Sequence, residues 1–110
     1  MEQNYFDKFS RKGIAFMEGT KKADIKSLVG DGVFHISDYG FIDGEEGRYA
    51  AFTVRERPGF FYFSSKPVYE VLSDVDTDGM REELFNQPVQ FIAGVNKQGR
   101  EYTAMAFVRA

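Results

Sequence analysis

The chain has no cysteine and only one histidine, His35, among its 110 residues. Without thiols it can form neither disulfide bonds nor thiolate metal sites, so packing alone must stabilise the fold, as suits the reducing cytoplasm. A histidine with no second one to pair with is usually a surface or hydrogen-bonded residue, not a metal ligand or a catalytic base. We therefore expect no metal and no cofactor.

Long hydrophobic runs are also absent. No stretch approaches the roughly 20 consecutive apolar residues that a membrane span needs. The first thirty residues contain several lysines and arginines but no apolar run of signal-peptide length. We therefore expect a cytoplasmic protein without a membrane segment. The length of 110 residues and the hydrophobic content of 43% suit one domain with its own core.

An excess of basic charge is missing as well, since the formal net charge at pH 7 is -3. A protein that coats nucleic acid by bulk charge needs clustered lysine and arginine, so the total counts against that class. The distribution is uneven, however: residues 43–46 and 70–83 are rich in acidic side chains, whereas residues 48–66 are locally basic. The sequence thus predicts a surface on which the two signs of charge are separated.

Known catalytic and metal-binding patterns are lacking too. The chain has no HExxH motif and no glycine-rich loop between a strand and a helix, so we expect that it is not an enzyme. Asp74, Asp76, Asp78 and Gly79 resemble the opening of a calcium-binding loop, but the twelfth position of that loop is Phe85 where a bidentate glutamate is needed. We interpret this run as the solvated end of a helix.

Strand-like alternation of apolar and polar residues dominates the rest of the chain. The predicted elements are an N-terminal arm (1–18), a short helix capped by Thr20, three strands (33–42, 48–55 and 59–63), a helix beginning near Ser65, and two final strands (89–95 and 101–108). In the first strand, alternation predicts that Tyr39 and Phe41 face outward, and Gly40 is expected to mark a bulge.

Three meandering strands, a helix and a final hairpin follow one another in the order of an OB-fold. Closure into a barrel would leave no long unpaired edge, and the apolar stripe of the helix would cover one end. We therefore predict a mainly β fold for residues 19–110: an OB-fold-like five-stranded Greek-key barrel with a helix between strands 3 and 4 and a short N-terminal helix. The alternative is another small α+β sheet with one packed helix.

In this order, the segments VFHISDYGFI (33–42), RYAAFTV (48–54), GFFYF (59–63) and KPVYEVL (66–72) resemble small single-stranded DNA-binding proteins and related accessory proteins. Phages and mobile elements of Gram-positive bacteria carry these proteins. The resemblance covers about residues 25–108 and lies in the pattern of strands and aromatics. It implies an OB-fold that binds single-stranded DNA in DNA replication, often as an oligomer. Unlike the better-known bacterial members, this chain has no tryptophan and no long acidic C-terminal tail.

Binding of a single strand needs aromatic faces on which bases stack and cations along the path of the phosphates. OB-folds present both on the second and third strands and on the adjoining hairpins. The candidate nucleic-acid-binding residues in those places are Tyr39, Phe41, Tyr49, Arg55, Arg57, Phe61, Lys97 and Arg100.

A second interpretation stays open, in which the same aromatics pack under the N-terminal arm, or bind a protein or a second copy of the chain. The acidic hairpin at residues 43–47 would repel phosphate, and it favours this protein-interaction module over the DNA-binding protein.

Overall fold

Two β-sheets and two α-helices make up the part of the chain that the computed structural model describes, residues 14–109. The predicted arm therefore lies outside the described residues up to residue 13. The strands are β1 (Lys21–Ala23), β2 (Ile36–Gly44), β3 (Gly47–Val54), β4 (Phe60–Phe63), β5 (Val89–Val95) and β6 (Glu101–Phe107). The helices are α1 (Lys66–Thr77) and α2 (Arg81–Phe85), and short 3-10 helices occur at Ala15–Met17 and Ile25–Leu28. No helix within residues 14–109 is both long and apolar enough to cross a membrane.

The larger sheet is mixed and has the strand order β1-β4-β3-β2. Its β2–β3 hairpin closes where Gly44 pairs with Gly47, whose φ of 130° is a conformation that glycine adopts readily and other residues do not. β4 pairs antiparallel with β3 and parallel with β1. The smaller sheet is the antiparallel β5–β6 hairpin.

Backbone bridges join the two sheets. Phe34 pairs with Val89 and Val29 pairs with Phe91, so the segment before β2 runs beside β5. On the β6 side, the hydroxyl of Ser65 donates a hydrogen bond to the carbonyl oxygen of a β6 residue. The sheets are therefore fixed to each other on both sides of the hairpin.

The core lies between the two sheets and α1. Phe52 of β3 stacks on Phe91 of β5, with ring centroids 5.7 Å apart and planes 9° from parallel. Helix α1 begins where the Ser65 side chain accepts a hydrogen bond from the backbone N–H of Val68, and it buries Val68 and Leu72. The predicted apolar stripe and cap of this helix are confirmed.

A strand-rich mixed fold with the predicted order of strands around one helix is thus present, but the described residues form an open four-stranded sheet and a hairpin without a closed barrel. The reason lies in β1, which pairs with the free edge of β4 from Lys21 opposite Phe60 to Ala23 opposite Tyr62. A closed barrel would need that edge for one of its last strands.

The short N-terminal helix predicted after Thr20 is also wrong, because a strand and a 3-10 helix take its place. Its first residues form β1, and only a 3-10 helix at Ile25–Leu28 remains, capped by the Asp24 side chain, which accepts from the N–H of Lys26. Backbone pairing with β4 outweighs the weak helical preference of so short a segment.

The predicted facing of β2 is wrong from Asp38 onward, because a bulge interrupts the strand. Ile36 and Asp38 pair with successive residues of β3, so Ser37 is an extra residue. One extra residue moves every following side chain to the opposite face of the sheet. As a result Tyr39 points into the core and Gly40 lies on the outer face. The bulge itself is at Ser37, three residues before the predicted glycine.

Candidate functional site

Aromatic side chains gather on the outer face of the larger sheet, the face turned away from the core. Tyr49 of β3 and Phe63 of β4 meet edge to face, with ring centroids 5.3 Å apart. Phe61 contacts Phe63 in the same way at 5.4 Å. Tyr49 and Phe63 are half-buried, whereas Phe61 is only 7% exposed. Two rings of this face are therefore partly open to solvent, and the third is buried.

A lysine from β1 lies beside these rings. The parallel register places Lys22 next to Phe61 on the outer face, and the Lys22 ammonium is 5.1 Å from the centroid of the Phe63 ring. Lys21, its neighbour, points to the opposite face because side chains alternate along a strand. A cation–π contact at an exposed site contributes only about 0.5–1 kcal/mol. Lys22 is thus held beside the ring with its side chain exposed.

Arg48, the neighbour of Tyr49 in β3, points to the opposite face of the sheet, the face that packs against α1. The guanidinium of Arg48 lies 4.6 Å above the ring of Phe41, and its Nε is 3.8 Å from a carboxylate oxygen of Asp43. Phe41 also meets Tyr69 of α1 edge to face at 5.9 Å. Strand β3 and the first turns of α1 therefore approach each other around one aromatic ring.

A groove runs between these elements from Tyr49 to the beginning of α1. Arg48 and Lys66 supply cations along it, and Tyr49 and Tyr69 supply rings. Together with Lys22 and Phe63, these residues define what we call the Tyr49–Phe63 surface: Lys22, Arg48, Tyr49, Phe63, Lys66 and Tyr69. Two carboxylates, Glu46 and Glu70, line the same groove.

The serines of the groove are engaged in the fold. The Ser64 hydroxyl oxygen accepts a hydrogen bond from the N–H of Ala50 at 2.9 Å. The Ser65 hydroxyl donates to the carbonyl oxygen of Thr103 while it caps α1. Neither serine lies beside a histidine, since His35 is hydrogen-bonded to Glu56. The groove therefore offers cations and rings for binding, while both of its serines hold the fold together.

Tyr39, predicted to face a ligand, is 3% exposed. Its hydroxyl donates to Oδ1 of Asp76 at 3.0 Å, and the Arg81 guanidinium lies 4.3 Å above its ring while pairing with Asp38. Burial raises the pKa of Tyr39 above its ordinary value of 10.0, and the hydrogen bond to Asp76 adds to the rise. Its ring is part of the core, so no base can stack on it.

The predicted arginines of the β3–β4 turn also have partners within the chain. Arg55 donates to the carbonyl oxygen of Phe85 at 3.0 Å. Arg57 forms an ion pair with Asp31, and its guanidinium lies 5.6 Å from the ring of Phe34. These contacts fix the turn against neighbouring segments, at a place separate from the Tyr49–Phe63 surface.

Lys97 and Arg100 are exposed at the turn of the β5–β6 hairpin, in the other sheet. Of the predicted residues, the structure brings Tyr49 and Phe61 together on the outer face. Phe41, which was predicted to face outward, lies with Tyr39 on the core face, where its ring meets those of Tyr39 and Tyr69. The other predicted residues lie elsewhere.

The sequence reasoning missed Lys22, Arg48, Lys66 and Tyr69 as site residues. Lys66 and Tyr69 could have been found from the sequence, because they lie in the first turns of a helix that directly follows β4.

The acidic and histidine side chains of the described residues do not converge on a metal site. Within residues 14–109 no three of them lie close enough to hold an ion. The aspartates that resemble a calcium loop begin inside α1, where Asp76 accepts the Tyr39 hydroxyl. His35 bonds to Glu56: its N–H donates to Oε1 at 2.7 Å and its Nδ1 lies 2.6 Å from Oε2.

Comparisons of the chain with protein-family models, curated proteins and solved structures find no match, so the likeness to single-stranded DNA-binding proteins stays a prediction and the Tyr49–Phe63 surface must be interpreted from its own chemistry.

Proposed function

We propose that this chain binds single-stranded DNA, without catalysis, on the Tyr49–Phe63 surface. One observation carries the proposal: Lys22, Phe63 and Tyr49 lie together on the outer face, and the groove that begins at Tyr49 continues round the end of β3 to Arg48 and Lys66 on the side of α1. The order of strands around α1 supports the finer proposal of an OB-related topology, in which a surface on these strands would face the ligand.

The chemistry of the Tyr49–Phe63 surface suits a strand with unpaired bases. A base that stacks on an aromatic side chain contributes about 1–3 kcal/mol, whatever its sequence, because every base has a flat face. Lys22, Arg48 and Lys66 would then meet the phosphates, which makes the affinity depend on salt. With this function the protein would act in the cytoplasm, in the DNA replication of a phage or mobile element, as the resemblance implies.

Fluorescence polarisation of a labelled oligo-dT tests the proposal. We expect binding at low salt that weakens as salt rises. Lys22→Ala should weaken binding and reduce the slope of the salt dependence by about one. Lys21→Ala is the matched control, because it removes the same charge from the same strand on the opposite face, and it should bind as the unaltered protein does.

The ring of Tyr49 provides the second variant. Tyr49→Leu keeps an apolar side chain but removes the flat face, so we expect affinity to fall roughly five- to 150-fold, the equivalent of one stacked base. Absence of binding at low salt would refute the proposal. Equal losses of affinity in Lys21→Ala and Lys22→Ala would show that binding depends only on overall charge and would refute the assigned surface.

A protein partner on the same surface is the second candidate. It is favoured by Glu46 and Glu70, which line the groove beside Arg48 and Lys66 and would repel phosphate. A protein surface with both signs of charge would match this groove better than a nucleic acid would. Self-association that is lost in Tyr49→Leu, without any binding of oligo-dT, would establish this candidate instead.

A further inference from the structure

The turn of the β5–β6 hairpin presents an apolar side chain next to cations. Val95 is 63% exposed, and Lys97 and Arg100 follow it in the turn with exposed side chains. The turn is held in one conformation, because Oδ1 of Asn96 accepts hydrogen bonds from the N–H groups of Gln98 and Arg100, both at 2.9 Å. Little conformational entropy is therefore lost when such a tip docks into a partner.

An apolar groove lies at the other end of the same hairpin. Val75, Met80, Leu84 and Phe107 line it, and its volume is about 290 Å³. Met80 and Phe107 are 46% and 47% exposed, which is unusual for large apolar side chains that lie together. The groove has the character of a site that takes up an apolar side chain.

Acidic residues surround this groove. Glu83 lines it, and Asp78 and Glu82 lie exposed within the same stretch of chain. Arg109 is the cation that lines it within residues 14–109. Asp78, Glu82 and Glu83 outnumber Arg81 and Arg109, so the net sign around the groove is negative. At the tip Lys97 and Arg100 outnumber Glu101, which pairs with Val95, so the net sign there is positive. Charge complementarity of this kind steers two surfaces together and fixes their register.

Tip and groove cannot meet within one molecule. Val95 pairs with Glu101 at the turn, whereas Phe107 pairs with Val89 at the opposite end of the strands. Six residue steps of roughly 3.3 Å separate these ends by about 20 Å. Only a second copy of the chain can therefore bring its Val95 to the groove.

We propose that copies of this chain associate head to tail, with the Val95 tip of one copy seated in the groove formed by Val75, Met80, Leu84 and Phe107 of the next. The two contacting patches differ, so the interface is heterologous and repeats into rings or open chains. The association requires no DNA and uses neither the rings nor the cations of the Tyr49–Phe63 surface, so it goes beyond the function proposed above.

Sedimentation velocity over a range of protein concentrations tests the proposal. The average mass of the unaltered protein should rise with concentration beyond that of a dimer. Val95→Asp, which spoils the tip, and Met80→Asp, which spoils the groove, should each weaken association by at least about tenfold. Both side chains are exposed, so circular dichroism should show an unchanged fold. Ile92→Asp is the matched control, because Ile92 is 48% exposed on the other face of the same hairpin.

Mixing the two variants gives the decisive result. Met80→Asp still has its tip and Val95→Asp still has its groove, so a mixture of the two should form heterodimers and nothing larger. A mixture that stays monomeric would refute the head-to-tail contact. So would unaltered protein that is monomeric at every concentration, or association that Ile92→Asp abolishes and Val95→Asp does not.

Discussion

Replacing Tyr39 by phenylalanine should destabilise the fold and leave DNA binding unchanged. The substitution keeps the ring, with its edge-to-face contacts to Phe41 at 5.6 Å and Phe85 at 6.1 Å, and removes only the hydroxyl. That hydroxyl donates to Asp76 at 3.0 Å. A hydrogen bond to a charged group contributes about 1.5–3 kcal/mol, and Asp76 is exposed enough to regain water. We therefore expect a loss of about 1.5 kcal/mol in the free energy of unfolding.

The loss should also depend on pH. Burial and the bond to Asp76 raise the pKa of Tyr39 above 10.0, so the folded chain holds this proton more tightly than the unfolded chain does. The stabilisation is thus fully present below pH 10 and is lost as the pH rises through the folded-state pKa. The stability difference between the unaltered protein and Tyr39→Phe should be constant near neutral pH and shrink above pH 10.

Urea unfolding followed by circular dichroism measures this difference, and Tyr49→Phe is the matched control. Tyr49 is a half-buried residue of the outer face, and removal of its hydroxyl should change the free energy of unfolding by less than about 0.5 kcal/mol. If Tyr39→Phe were as stable as the unaltered protein, or if it weakened the binding of oligo-dT while Tyr49→Leu did not, the placement of Tyr39 in the core would be refuted.

Two further substitutions test the outer face and the β3–β4 turn. Gly40→Ala should lower the free energy of unfolding by about 1–3 kcal/mol, because the Cβ of the new alanine would lie 2.7 Å from Cγ1 of Ile14. In an Ile14→Ala background the same substitution should cost much less, and a double-mutant cycle measures the difference. Burial raises the pKa of Glu56, but hydrogen bonds from His35 outweigh burial and hold it below the ordinary 4.5. This stabilisation is present above pH 4.5 and is lost as the pH falls through the folded-state pKa. In urea unfolding, Glu56→Gln should therefore lower stability by about 1 kcal/mol near pH 7 and by less near pH 3. An equal loss at both values would contradict the assigned hydrogen bonds.

Local signals were enough to predict helix α1 and the order of the strands. Val68 and Leu72 recur at helical spacing after a serine cap, and these interactions lie within a few residues of one another. The facing of β2 could not be predicted in the same way, because the bulge at Ser37 arises from pairing with β3. A shift of one residue there reverses the faces of Tyr39 and Gly40, so one tertiary contact decides which aromatic is available to a ligand.

The site was predicted less completely than the fold for a related reason. A sequence shows that Arg55 and Arg57 are cations, but not that Phe85 and Asp31, both more than twenty residues away, engage them. No sequence pattern identified Lys22 as a site residue, because a strand of three residues is too short to show a periodicity. The face to which a cation belongs is decided by strand pairing, and the sequence alone does not show that pairing.

The parallel pairing of β1 with β4 links the open sheet to both proposals. Had one of the last strands taken the free edge of β4, the sheet would have closed and Lys22 would not lie beside Phe63. Because β1 takes that edge, the β5–β6 hairpin forms a sheet of its own, with its turn and its far end both exposed. A three-residue strand therefore both supplies a cation to the Tyr49–Phe63 surface and leaves Val95 and the groove around Met80 open to a second copy. Loss of the β1–β4 pairing should therefore impair the binding of oligo-dT through Lys22, whereas self-association through Val95 and the groove around Met80 should persist in sedimentation velocity, because the residues that carry the two are distinct.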